Sequence, residues 1–233
     1  MPIKLKDLLN EQLSPIIMTR LNPGIKLAKQ YFDNKESNDQ LNKFANEYQD
    51  ESNFLYVSGK HQKLFLIKKG NIEQEYTVST SAYGFGNEPG SEKTPIGKLT
   101  VTKKVGDGLP DYTLLVGLKP IKKDGEYVQL PQCDTETEKK IKLIYRKIPD
   151  IFKIMVPGDM NDWLESIEKC EAHVLTRALV IDASRSIYIH GTNRESVLGT
   201  PLSGGCIRMA NNDIKELYNI IPVGTPIYIN GSA

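Results

Sequence analysis

Apolar and polar positions change their period at residue 54. Before it, Leu5, Leu8, Leu9 and Leu13 recur at helical spacing, and Leu41, Phe44, Ala45 and Tyr48 form a second helical stripe. Pro15, Pro23-Gly24 and the polar run at 33–37 punctuate them, so residues 1–50 are expected to be a small helical appendage. From Phe54 the pattern is strand, turn, strand, turn, strand. The turns are signalled by Ser58-Gly59-Lys60 and Lys68-Lys69-Gly70-Asn71 between β-branched and aromatic runs.

A Gly-rich loop at 83–90 and Thr94-Pro95-Ile96-Gly97 then lead into one further strand, LTVTKKV, at 99–105. Short strands with Gly/Pro turns continue through Tyr112–Leu118. Thr135–Arg146 and Asp159–Cys170 read as helices of an insertion, either one wall of a cleft or a surface excursion. Strands return at 175–182 and 186–192. Asn212 is expected to cap a helix from Asp213 to about Ile220, and PIYIN closes the chain as a strand. The expected class is mostly β, a sandwich or partly open barrel over 51–233 with the helical appendage at 1–50.

Composition narrows the function classes. A hydrophobic fraction of 39% over 233 residues supports a sizeable core. With 30 basic and 29 acidic residues the net charge is +1, which gives no electrostatic case for a nucleic-acid partner, and the short Lys runs read as solvated faces. No stretch approaches the roughly 20 apolar residues of a membrane span. The N-terminus has no apolar signal-peptide region, so the reading is a protein that stays in the cytoplasm, has a leader outside this sequence, or is exported by an unusual route. Cys133, Cys170 and Cys206 are odd in number and irregular in spacing, which argues against a disulfide framework and a zinc site.

The chemistry concentrates at 189–209, IHGTNRESVLGTPLSGGCIRM. His190 ends an apolar strand, and Cys206 follows a Ser203-Gly204-Gly205 bend. If the loop between them folds back, an imidazolium can lower the thiol pKa from about 8.5 toward 3.5–7.5, and the thiolate can attack a carbonyl to give a thioester. Gly204 and Gly205 allow a sharp turn whose N–H groups can face an oxyanion. Arg208 can bind a carboxylate or brace the loop. On spacing alone, a buried inert thiol and a structural histidine are the commoner readings. His61 and His173 have no such context, and Cys133 and Cys170 read as inert.

The segment IHGT…GTPLSGGCIRM resembles the active-site signature of the L,D-transpeptidases. Ser79-Thr80-Ser81 with Gly90, Lys93–Gly97, Lys104–Pro110, Leu175-Thr176-Arg177 and Val223–Pro226 are similar to further family elements, so the likeness spans roughly 54–230. It implies a β-sandwich-like catalytic domain with a short helix after the cysteine. Cys206 is then the nucleophile and His190 the general base, with the Gly191 carbonyl holding the other ring nitrogen. Ser203 and the N–H groups of Gly205 and Cys206 shape the oxyanion pocket, and Arg208 places substrate or anchors the loop. The implied partners are peptidoglycan stem peptides, as donor and acceptor, and carbapenem-type β-lactams as covalent inhibitors. The implied product is a 3→3 cross-link, the implied location the periplasm or cell envelope, and no metal or organic cofactor is implied. The sequence departs from the family at Gly204, where histidine is usual. Hydrolysis by an L,D-carboxypeptidase and attachment to a protein amine use the same residues, and a non-catalytic peptidoglycan-binding domain is the reading of a different class.

Overall fold

The change of period at Phe54 opens strand β1 (Phe54–Ser58) of the computed structural model, which describes residues 53–68, 71–130, 132 and 174–231. β2 (Lys63–Lys68) and β3 (Asn71–Ser79) follow as antiparallel neighbours, with a turn at 59–62, where Gly59 predicts one. Every residue of β1 is buried, which is why this strand is uniformly apolar instead of alternating.

The expected single strand over 99–105 is two. β4 (Gly97–Thr100) pairs with β13 (Pro226–Asn230), while β5 (Lys103–Val105) pairs with β10 (Val174–Asp182). The residues between them explain the break. Val101, fully buried, donates its N–H to Thr225 O at 2.9 Å, and Thr102 donates to Val180 O at 2.8 Å. One apolar run is thus handed from one half of the fold to the other.

β6 (Leu114–Val116) and β7 (Lys119–Pro120) extend the second half, and β8 (Lys122–Lys123) with β9 (Glu126–Tyr127) forms a separate two-stranded ribbon. β11 (Ile187–Gly191) and β12 (Ile207–Met209) complete the path β4-β13-β1-β2-β3-β12-β11-β10-β6-β7. The sheet is mixed: β1 lies parallel to β13 and β11 parallel to β12. β3 joins the halves, pairing with β2 along its length and with β12 through Val78 and Ser79. The halves close on one core containing Leu55, Val57, Leu64 and Leu66 from one and Leu179, Ile181, Ile189 and Ile207 from the other. The protein is mostly β and sandwich-like, and each such aliphatic side chain contributes about 1.5–3 kcal/mol on burial.

Helix α1 (Asn211–Ile220) seals this core with Ile214, Leu217 and Tyr218. Its cap corrects the sequence expectation. Ala210 is the N-cap and makes no side-chain cap bond. The orphan N–H of Asn211 is taken instead by Glu195 Oε1, at 2.8 Å, from a 3-10 turn at Glu195–Val197. A cap supplied from 16 residues upstream leaves no local signature. At the other end Lys104 Nζ donates to the carbonyls of Tyr218 and Ile221, a cation placed where the helix dipole favours one.

The expected appendage at 1–50 and the helices at 135–146 and 159–170, with Cys133, Cys170 and His173, lie outside the described residues. Among those described, no helix is long and apolar enough to cross a membrane.

Candidate active site

Parallel pairing of β11 and β12 brings the two candidate residues onto neighbouring strands. Ile189 pairs with Ile207 and His190 with Arg208. The same register, continued back one residue, sets Tyr188 beside Cys206, whose sulfur accepts the Tyr188 N–H at 3.4 Å. The thiol donates toward Ser186 O at 3.6 Å. Both thiol bonds therefore run to the main chain of β11 and the turn before it, and among the described residues none runs to the imidazole.

His190 is 2% exposed, and its Nδ1 lies 2.8 Å from Gly191 O. A carbonyl only accepts, so Nδ1 carries the proton and the Nε2 lone pair is left as the basic site. Gly191 is required by packing: a Cβ there would meet Asn211 Oδ1 at 2.3 Å and Leu175 O at 2.9 Å. Asn211 Nδ2 donates to Thr192 O and to Glu195 Oε1, and Asn211 Oδ1 accepts from Thr176 Oγ1. The end of β11 is thereby tied to the start of α1, which holds the histidine's partner carbonyl in place.

The electrostatics differ from the imidazolium–thiolate expectation. Burial pushes the His190 pKa down to about 4, against the opposing bond to Gly191 O, and the Arg208 charge lowers it further. Burial also raises the Cys206 thiol, opposed by the Tyr188 N–H and by Arg208. At neutral pH both groups are uncharged, because desolvation outweighs the nearby cation at each. Arg208 sits opposite His190 on one side and Ser79 on the other, and its charge is felt by both members of the pair.

Ser203 fastens the turn before the cysteine. Its hydroxyl donates to Cys206 O and accepts the Gly205 N–H at 3.2 Å; its own N–H goes to Thr80 O and its carbonyl accepts from Ala82. The Gly205 N–H expected to face an oxyanion is thus held by Ser203. Gly205 adopts φ +113°, and a Cβ there would lie 2.6 Å from Ile187 Cδ1, so both conformation and space demand glycine. Gly204 is unlike it: the residue is exposed, its φ lies outside the left-handed region, and a Cβ would meet only Glu92 Oε2, at 3.9 Å.

Three positioning residues carried no assigned role in the sequence reading. Thr94 Oγ1 accepts the Ser81 N–H and donates to Gly205 O, each at 2.9 Å. Ser81 Oγ donates to Glu92 O. Arg185, in the turn before Ser186, donates to Lys93 O at 2.7 Å and Gly86 O at 3.1 Å. The hydroxyl residues flanking the Gly-rich loop were the available signal; the span from 94 to 205 hid their partner. His61 has its Nδ1 2.9 Å from Ser58 Oγ. Among the described residues, no group of three or more His, Cys, Asp or Glu is arranged to hold a metal ion.

The family model for the L,D-transpeptidase catalytic domain matches residues 52–229. YqjB of Bacillus subtilis, which carries the L,D-transpeptidase designation, is 54% identical over 41 residues, 18% of this chain and 23% of YqjB. ErfK/SrfK of Escherichia coli, of the same designation, is 51% identical over 41 residues, 18% of this chain and 13% of that protein. These matches span about a quarter or less of the relatives' length. L,D-transpeptidase 3 from Mycobacterium tuberculosis, solved with a faropenem-derived adduct, aligns with a TM-score of 0.42 at 15% identity, covering 77% of this chain and 60% of that one.

Proposed function

The chain belongs to the L,D-transpeptidase catalytic domain family, and on that premise we propose that it is a cysteine acyltransferase acting on peptidoglycan stem tetrapeptides. The observation that carries the reading is the His190 Nδ1 to Gly191 O bond on the strand parallel to the one that Cys206 immediately precedes. It leaves a fixed basic nitrogen on the strand beside a partly exposed thiol.

Because both groups rest uncharged, the thiolate forms during attack instead of before it. Rotation of the Cys206 side chain frees the sulfur from Ser186 O and turns it toward His190 Nε2. The sulfur attacks the carbonyl on the L-centre of the diamino acid at stem position three, and its proton passes to Nε2. The C–S bond forms, the C–N bond breaks, and D-Ala leaves with the proton from His190. The low basicity of His190 favours that return. In the second half-reaction a free amine of another stem attacks the thioester: a C–N bond forms, the C–S bond breaks, and the amine's proton returns through His190 to the sulfur. The product is a 3→3 cross-link. N–H groups of the 204–206 turn receive the oxyanion, that of Gly205 after leaving Ser203 Oγ. Arg208 tunes the pair and anchors β12. The proposed setting is the cell envelope, where stem peptides are found. β-Lactams are proposed covalent inhibitors, in line with the faropenem-derived adduct of the M. tuberculosis relative.

Incubation with disaccharide-tetrapeptide, followed by mass analysis of products, tests the proposal. A dimer with loss of one D-Ala is expected. Tripeptide alone would identify a carboxypeptidase with the same nucleophile, and unchanged substrate would point to a non-catalytic binding domain.

A further inference from the structure

Glu92 is the nearest atom-bearing neighbour of the space that Gly204 leaves empty. A Cβ built on Gly204 finds Glu92 Oε2 at 3.9 Å and no other atom within 4 Å. Both residues are exposed. Gly204 lies two residues from Cys206, so their Cα atoms are at most about 7 Å apart, and the carboxylate stands beside the bend that leads into the cysteine.

The main chain that carries Glu92 is unusually fixed for a surface residue. Glu92 adopts φ +55°, a conformation uncommon outside glycine. Its carbonyl accepts from Ser81 Oγ at 2.5 Å, and the Lys93 carbonyl accepts from Arg185 at 2.7 Å. The next segment is tied to the cysteine turn through Thr94 Oγ1 and Gly205 O. The neighbouring carboxylate, Glu88, pairs with Lys93 at 3.6 Å. Among the described residues, the Glu92 carboxylate has no hydrogen bond or ion pair of its own. An exposed, unengaged carboxylate on an anchored main chain, beside an open slot, suits a small hydrated cation that arrives with a ligand.

The proposed reaction brings such a cation. The acyl acceptor is an amine that reaches the site largely as its ammonium form, and it must end within bonding distance of a thioester on Cys206. We propose that Glu92 binds the ammonium group of the acyl acceptor, in the space left open by Gly204, before the amine loses a proton and attacks. This rests on the acyltransferase reading.

Two measurements separate the inference from the reading beneath it. The first is binding of a free-amine stem peptide to the full chain carrying Cys206→Ala, with and without Glu92→Gln, at low salt and at 0.5 M salt. Loss of the charge is expected to weaken binding about three- to tenfold at low salt, and the difference is expected to shrink at high salt, as for an exposed ion pair. An N-acetylated peptide is expected to show no difference. The second is carbapenem adduct formation by the otherwise unaltered chain with Glu92→Gln, expected to match the parent rate within twofold. Equal binding with and without the Glu92 charge overturns the inference, even where the adduct forms. A charge-dependent amine site in a chain that forms no adduct leaves Glu92 an ammonium-binding residue but sinks the acyltransferase reading, and the acceptor role with it.

Discussion

At the scale of residues, two adjacent glycines answer to different demands. Gly205→Ala places a Cβ 2.6 Å from Ile187 Cδ1 in a backbone at φ +113°, and is expected to destabilise the protein by about 1–3 kcal/mol with loss of the cysteine turn. Gly204→Ala meets only ordinary contact with Glu92 and is expected to shift stability by less than about 0.5 kcal/mol. Thermal unfolding of the two variants checks the contrast; equal losses would contradict it. The sequence marks the Ser-Gly-Gly bend as a turn yet cannot distinguish the two positions, since the difference lies in φ and in atoms 18 residues away. His190 sets a pH dependence. Its folded pKa of about 4 lies below the unfolded value of about 6.5, so the unfolded chain binds the proton first. Stability from this group is full above about pH 6.5 and falls as pH drops through about 4, by about 3 kcal/mol in all. The base stays unprotonated at pH 5–6, so the acid limb of carbapenem acylation is expected below pH 5. A limb centred near 6.5 would show that the imidazole is not desolvated as described.

At the scale of elements, β10, β11 and β13 were legible because each is an apolar run bounded by turn residues. The break within 99–105 was not legible, because β4 and β5 differ only in which distant strand, β13 or β10, their edges meet. The cap of α1 was misread for a related reason. Asn212 has the right chemistry, but the helix starts one residue before it, with Ala210 at the N-cap position, and Glu195 takes the Asn211 N–H. Glu195→Ala removes acceptors from both Asn211 N and Nδ2. It is expected to destabilise the protein by about 1–2 kcal/mol, and to slow acylation by loosening the Gly191 end of β11. Asn212→Ala is expected to do neither. Chemical denaturation of both variants, beside their acylation rates, decides which residue is the cap.

At the scale of the molecule, the site exists because β3 joins the two halves of the fold and the Thr94–Gly205 bond ties the loop before β4 to the turn before β12. The His190–Cys206 pair was legible as chemistry in the sequence. Its resting form, uncharged with the sulfur turned to the main chain, was not, since it follows from burial and from the parallel register of β11 and β12. The central claim is that Cys206 is an acylating nucleophile served by His190. Intact mass after incubation with a carbapenem, with peptide mapping of the modified site, tests it most directly. The account predicts one adduct on Cys206, absent in Cys206→Ala and formed about 10²–10⁴-fold more slowly in His190→Ala. No adduct on the unaltered chain, or an adduct whose rate does not depend on His190, would contradict it.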